Sequence, residues 1–467
     1  MAEEHKRKEE KELVRKFEAF LKNKESHYFD EESLLKVIVF YSSNDKNIQA
    51  LKAVNFALSQ FPYSIELTIE KSDILVKQDR ADDAIEILEE TLNIQPNDPE
   101  LLMQKGAIHC ITSEFKEAID CYEKALINVE DKDEIYFSIG MAYQGLGKYK
   151  QAVSAYKKAI EINMLNENAL YELAYCLDVS GELESSLSYY QQFIDQDPYS
   201  EYAWYNLGIV YNKLGKFEKA IDAYEYATAI DDDFSSAWFN LGNALMNVER
   251  HDEALAAYLK THELEGASPE TYCHIGAAYE KLGQLELGIK YYQKASKLDQ
   301  MYHEAWYGVG VCLVLQEKWY EAIHFLNKAL KLDSENGTYW KSVADAEYKT
   351  GNLVSAMNAY TEASEIDSGN PKVWLDWSMA YYEQGDYQEA INVLESGLDE
   401  CPDNAEMYYR GVVYLIGSGS YKNAINRLET ALMLDFDAHQ LLFDFFPNLP
   451  TQKALYRIID QFRKDNN

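Results

Sequence analysis

Between residues 201 and 234 the apolar positions run at helical spacing twice in succession. Trp204, Leu207, Gly208 and Tyr211 fall three and four apart, and after a break at Gly215 the spacing resumes with Phe217, Ala220, Ile221 and Tyr224. Such a pattern predicts two amphipathic helices joined by a short turn. Thirty-four residues on, it restarts with Trp238, Leu241 and Gly242. Blocks beginning at Glu31, Ile65, Pro99, Asp133, Glu167, Glu201, Ser235, Pro269, His303, Gly337, Pro371 and Ala405 repeat it twelve times, through residue 438, with no net change of register. The twentieth place is alanine in every block except for Ser186 and Gly288. The eighth is Gly106, Gly140, Gly208, Gly242, Gly276 or Gly310, with Ser72, Ala174, Ala344 and Ser378 as variants. Between them stand bulky residues: tryptophans such as Trp204, Trp306 and Trp374 at the fourth place, and tyrosines such as Tyr156, Tyr224 and Tyr292 at the twenty-fourth. A lone hairpin cannot bury both its faces, so small slots alternating with large knobs predict one interface repeated by stacking. Glycines such as Gly147, Gly215, Gly283 and Gly351 recur where positive φ would end the first helix. Seven prolines sit at block junctions, where they interrupt no helix, and Pro447 and Pro450 lie beyond the array.

A thirty-four-residue helix-turn-helix reading W-x-x-L-G-x-x-Y, then Ala, an aromatic, Ala and Pro, resembles the tetratricopeptide repeat (TPR), and Glu201 to Asp231 carries nearly all of it. The resemblance implies an all-α TPR α-solenoid of the stand-alone bacterial type, a right-handed superhelix of about twelve helix-turn-helix repeats with helical caps. Residues 1–30 are then a charged N-terminal cap, 31–438 the repeats, and 439–467 a C-terminal capping segment and helix. The first two units depart most from the pattern, with Ile38 in a small slot and Thr68 where an aromatic is expected. The last is read as carrying an extra residue in its GSGS turn at Gly417 to Ser420. Residues 3–25 form a charged helix with a stripe of Leu13, Phe17, Phe20 and Leu21 and with Glu12–Lys16 and Glu18–Lys22 spaced as ion pairs. It is either a solvated extension or a helix docked on the first unit or a partner. At the other end, the apolar stretch 439–450 and the stripe Ala454, Leu455, Ile458, Ile459 and Phe462 are expected to cover the last unit.

Charge changes the picture next. Lys and Arg number 44 against 79 Asp and Glu, a formal net charge of −35, which argues against nucleic acid and anionic membranes and draws in basic proteins. No apolar run nears the roughly 18 residues that span a bilayer. The opening MAEEHKRKEEKELVRKF has neither a secretory core nor the acid-poor composition of a transit peptide, so a cytoplasmic location is expected. Cys110, Cys121, Cys176, Cys273, Cys312 and Cys401 form no C-x-x-C pair and read as buried free thiols. Catalysis needs convergent groups on a fixed cleft, and the sequence offers none. His262-Glu263 lacks the second histidine of a zinc-protease helix, Gly266 standing in its place; Gly308-Val309-Gly310 lies inside a repeat helix; and His109 replaces a core aromatic. No enzyme activity, metal or cofactor is expected.

Function therefore falls to a surface. In the family it resembles, the first helices line a concave groove, and the second, fifth, sixth, ninth, twelfth and thirteenth places face it. Over the first five units these places hold Glu32, Glu66, Glu70, Asp73, Glu100, Glu134, Glu172 and Asp178 against Lys36 and Lys77. Further along, Asn206 and Asn240 share the sixth place, Asn243 follows at a ninth, Tyr205 and Phe239 flank them, and Asn212, Asn247 and His274 extend the row. The row is similar to the asparagine ladder in the TPR region of O-linked N-acetylglucosamine transferase, where carboxamides hold an extended peptide backbone, a carboxamide being both donor and acceptor. The carboxylate clamp of chaperone adaptors is not expected, because Asp345 and Asp376 stand where asparagines would follow Lys341. The sequence thus points to a non-catalytic scaffold holding an extended, basic polypeptide in its groove, with no nucleic acid and no membrane insertion. A structural subunit or assembly factor that docks through its termini or convex face stays open beside it.

Overall fold

All twelve sequence blocks become helical hairpins. In the computed structural model, which describes residues 2–22, 28–127, 129, 131–445 and 453–465, the first helix of every repeat begins at the residue that opens its block, from Glu31 through Ala405. Among the described residues there is no strand. The chain divides into two compact units, Met1–Ala237 and Trp238–Asn467, both built from the same hairpin.

The local chemistry of the hairpin explains its bounds. Repeat six is typical, with helices Glu201–Lys213 and Phe217–Ile230. Ser200 caps the first by accepting the Ala203 amide at 3.1 Å, as Asp98 does for Leu101 and Asn404 for Met407, each cap contributing about 1 kcal/mol. The turn between helices is a backbone requirement more than a glycine motif. Its fifteenth place has positive φ in all twelve repeats, and where glycine is missing Asp45, Asp79, Ser113, Glu249 and Glu317 adopt φ of 55 to 63°. A Cβ in that region costs roughly 1–2 kcal/mol, against about 0.5–1 kcal/mol that glycine loses in chain entropy. Glu317→Gly should therefore gain about 0.5–1 kcal/mol, seen as a higher urea midpoint; a lower midpoint would mean that the glutamate makes a contact outweighing the strain. The last repeat obeys the same spacing. Gly417 ends its first helix, Gly419 takes φ 79° and Tyr421 starts the next helix, so the extra residue read in the GSGS turn is not there.

Packing follows the slots and knobs. A methyl group on Gly106, Gly208 or Gly242 would lie 2.5 Å from Cε1 of Tyr122, Tyr224 or Tyr258, and those rings are at most 3% exposed. The phenol occupies the space a side chain would need. The ten alanines of the twentieth place are wholly buried. Between repeats, the fourth-place tryptophans donate their indole N–H to a carbonyl of the preceding junction: Trp204 to Pro198, Trp306 to Gln300, Trp340 to Ser334 and Trp374 to Ser368, at 2.8–3.0 Å. Repeat five differs. Its second helix opens as a 3₁₀ turn, Leu183–Ser186, before continuing over Leu187–Gln196. Ser186 replaces the slot alanine and donates its hydroxyl to the Leu183 carbonyl at 2.7 Å, a side-chain bond that favours the tighter turn.

At the N-terminus, helix Ala2–Leu21 lies on repeat one. Phe17 is buried edge-on against Phe29, Phe20 packs on Phe56, and Tyr41 donates to Glu18 at 3.1 Å. The buried stripe is set by Val14 and Phe17, while Leu21 is half exposed, a shift of the face expected from sequence. Glu12 and Lys16 do pair, at 3.1 Å, whereas Glu18 turns to Tyr41. At the other end Leu455 and Ile459 of helix Lys453–Asp465 are buried in the cluster that holds Leu428 and Leu432. Residues 446–452 of the apolar C-terminal segment and the Ala454 side chain fall outside the described residues.

Candidate protein-binding groove

The first helices supply the candidate surface, since each buries one face in the hairpin and leaves another free. In repeats one and two, Glu32, Leu35, Lys36, Val39, Ser43 and Glu66 line a cavity of about 1020 Å³. All six occupy groove places of the sequence register. The lining is apolar through Leu35 and Val39, hydroxylic at Ser43 and charged at Glu32, Lys36 and Glu66, with Lys11 of the N-terminal helix also reaching it; Lys36 is bound to Glu32 at 2.6 Å.

Helix Ile65–Val76 brings three predicted residues, Glu66, Glu70 and Asp73, onto one face. Burial raises the Glu70 carboxyl above its ordinary value, Asp73 and Glu66 push it the same way, and Lys77 opposes them. Lys77 is itself turned toward the Ser42 hydroxyl at 2.8 Å. Asp73 accepts from Gln104 at 2.5 Å. The result is a concentration of negative charge that the protein only partly compensates. Glu172 lies elsewhere, on helix Glu167–Val179, where it accepts from Gln144 at 2.8 Å.

Gln144 belongs to a wider rule. Its Oε1 accepts from the buried Tyr156 hydroxyl at 2.8 Å and from the Cys176 thiol at 3.2 Å. Likewise Tyr258 donates to Asn243 at 2.8 Å, Tyr292 to Glu280 at 3.0 Å and Tyr360 to Asp345 at 2.5 Å. A phenol removed from water needs an acceptor, and leaving it without one costs about 1–3 kcal/mol. In these four repeats a ninth- or twelfth-place polar residue supplies it. Asn243, expected as a rung of a peptide-binding ladder, therefore has its carbonyl committed to the core.

The other members of the asparagine row are divided between the two units. In the first, Tyr205 is half-buried with its ring 4.8 Å from Phe234, and Asn206 follows it on the same helix, also half-buried. Asn212 Oδ1 is buried and accepts no hydrogen bond among the described residues. In the second, Phe239 meets His274 edge-on at 4.8 Å, and His274 also packs at 5.2 Å from Tyr258. Burial holds the His274 imidazole below its ordinary value of 6.5, with Glu270 and Glu304 pulling the other way, so this ring is a neutral packing element at pH 7. Asn240 is half-buried and Asn247 exposed. Lys341 is bound to both Asp345 and Asp376, at 2.7 and 2.6 Å, which spends the one lysine a carboxylate clamp would use.

A count of charges passes over the uncharged residues at the same places. Tyr171, Tyr175, Val179 and Tyr202 are 44–52% exposed and Met141 is 40% exposed. The available signal was large apolar side chains at fifth, ninth, thirteenth and second places that the register assigns to solvent.

Family profiles described as tetratricopeptide repeat match residues 43–108, 134–163, 168–200, 201–234, 235–261, 269–300 and 348–412. The chain belongs to the tetratricopeptide repeat family. No curated protein sequence matches it. Similar solved structures include the APC/C hetero-tetramer Cut9–Hcn1, 16% identical, TM-score 0.42, covering 85% of this chain and 90% of that one. YrrB, described as a TPR protein with an unusual peptide-binding site, is 20% identical with TM-score 0.32 over 38% of this chain and 92% of its own. MamA is 28% identical with TM-score 0.34 over 37% and 94%. Among the described residues no helix is long and apolar enough to cross a membrane.

Proposed function

We propose that the protein is a non-catalytic interaction scaffold that holds an extended, basic polypeptide along its first-helix faces. The observation that carries this reading is the trio Glu66, Glu70 and Asp73 beside the repeat-one cavity. Glu70 is kept half-buried among like charges with Lys77 as its one opposing influence, an arrangement that a purely structural helix face would relax. A cationic chain entering there would supply the missing countercharge. The formal charge of −35 adds long-range attraction. The groups brought together on these faces are carboxylates, amides and tyrosines bonded to one another, a set suited to recognition more than to bond making.

The test is fluorescence anisotropy with a labelled twelve-residue lysine–serine peptide and a glutamate–serine control. The basic peptide should bind at about 50 mM NaCl and lose at least about tenfold in affinity by about 500 mM, as screening shortens the reach of the field. Equal binding of the acidic control, or no binding of the basic peptide at low salt, would overturn the reading.

A further inference from the structure

We propose that the exposed tyrosine face of helix Glu167–Val179 is an arginine-reading surface, on which an extended segment of the partner stacks guanidinium groups against Tyr171 and Tyr175. The proposal rests on the scaffold reading and names the partner's chemistry at one stretch of that surface.

The helix is apolar on two sides. Ala169, Leu170, Leu173 and Leu177 are buried in the hairpin core, while Tyr171, Tyr175 and Val179, one turn apart on another face, are 51%, 44% and 49% exposed. The neighbouring first helices are bonded to it directly, Gln144 of Asp133–Gly145 to Glu172 and Lys213 of Glu201–Lys213 to Asp178. They bring groove places to either side, with Met141 and Tyr202 exposed there. Large apolar side chains exposed in succession along one surface mark an interaction site more often than chance.

Charge selects the occupant. At the groove places of these three helices stand Glu134, Glu172 and Asp178 against one base, Lys213, which is already paired with Asp178. Aromatic faces interleaved with carboxylates suit a flat, weakly hydrated cation that stacks and forks at once. Guanidinium does both, whereas an ammonium is held by its hydration and binds as a point charge. Spacing agrees: residues four apart on a helix rise about 6 Å, and alternate residues of an extended chain repeat about 6.6 Å. Arginine at every second position therefore keeps step with Tyr171, Tyr175 and Val179.

The experiment compares two fluorescein-labelled peptides of equal charge, six Arg-Ser repeats and six Lys-Ser repeats, binding to the full chain at about 150 mM NaCl. The arginine peptide should bind at least about fivefold more tightly. Tyr175→Ala, and the pair Tyr171→Ala/Tyr175→Ala, should remove that preference while changing lysine-peptide affinity less than about twofold, and Tyr171→Phe/Tyr175→Phe should keep it because the ring faces remain. Circular dichroism checks that the exposed substitutions leave the fold intact. Equal affinity for the two peptides, or the same loss for both in the alanine variants, would overturn the proposal. If equal affinity comes with salt-sensitive binding that needs Glu66, Glu70 and Asp73, the scaffold reading survives and the arginine surface falls. If neither peptide binds, both fall.

Discussion

Tyr224→Ala loses about 3–5 kcal/mol of stability, the usual cost of emptying a buried aromatic site. The ring is 1% exposed and lies where a side chain on Gly208 would have to go. Two further variants make the expectation specific to that contact. Gly208→Ala alone should cost about 1–3 kcal/mol, because its methyl would stand 2.5 Å from a ring with no room to retreat. With Tyr224→Ala in place the clash is gone, and the same glycine change should become neutral or stabilising, since alanine favours a helix interior by about 1 kcal/mol. The sign of the Gly208→Ala effect thus reverses with its partner. Urea denaturation gives the cycle, and hydrogen exchange should place the loss of protection in repeat six and its neighbours, as expected where each repeat touches only those beside it. Additive costs would show that ring and slot are not one interface.

Reversing the trio with Glu66→Lys, Glu70→Lys and Asp73→Lys weakens binding of a cationic peptide by at least about a hundredfold. Each contact of unit charges near 4 Å contributes about 1 kcal/mol even in water, and each reversal turns attraction into repulsion, so a loss of about 3 kcal/mol is a lower figure. Unchanged affinity would place the site elsewhere. A milder variant separates binding from folding. The Glu70 carboxyl is raised from its ordinary 4.5, first by burial and then by Asp73, with Glu66 adding to it. The native state therefore holds this proton more tightly than the unfolded chain, and stability is lost as pH rises through the interval above 4.5. Glu70→Gln should melt above the parent at pH 7.5, and the difference should shrink as the pH falls to 4.5 and below, while the variant binds the peptide more weakly. A variant less stable than the parent at pH 7.5 would mean that the carboxylate is a structural partner.

Much of the hairpin was legible because its constraints are local and repeated. Prolines at block junctions mark the starts of three first helices, and the Gly208–Tyr224 pairing follows from volume. What stayed hidden depends on where single side chains turn. Asn243 has the composition of a recognition amide, yet a buried phenol fifteen places along the repeat claims its carbonyl, and nothing in the spacing distinguishes the two uses. Val14 replaces Leu21 on the docked face of the N-terminal helix because Phe29 and Phe56 fix its rotation from outside the helix. Ser186 looks like a conservative exchange for alanine, but its hydroxyl reshapes the start of a helix. The acidic trio was readable from the register, and the tyrosine face of Glu167–Val179 lies at places the same register turns outward, but a count of charges alone passes over uncharged rings.

The bonds from Tyr156, Tyr258, Tyr292 and Tyr360 to Gln144, Asn243, Glu280 and Asp345 have a consequence for how such a surface can change over time. Where a ninth or twelfth place anchors a phenol, altering it to suit a new visitor also loosens the scaffold, so drift there is penalised whatever the visitor. Tyr202, Tyr171 and Val179, at second, fifth and thirteenth places, are exposed and make no hydrogen bond to a buried phenol among the described residues. New specificities should accumulate at those three, leaving the anchored pair as the slow-changing frame around them.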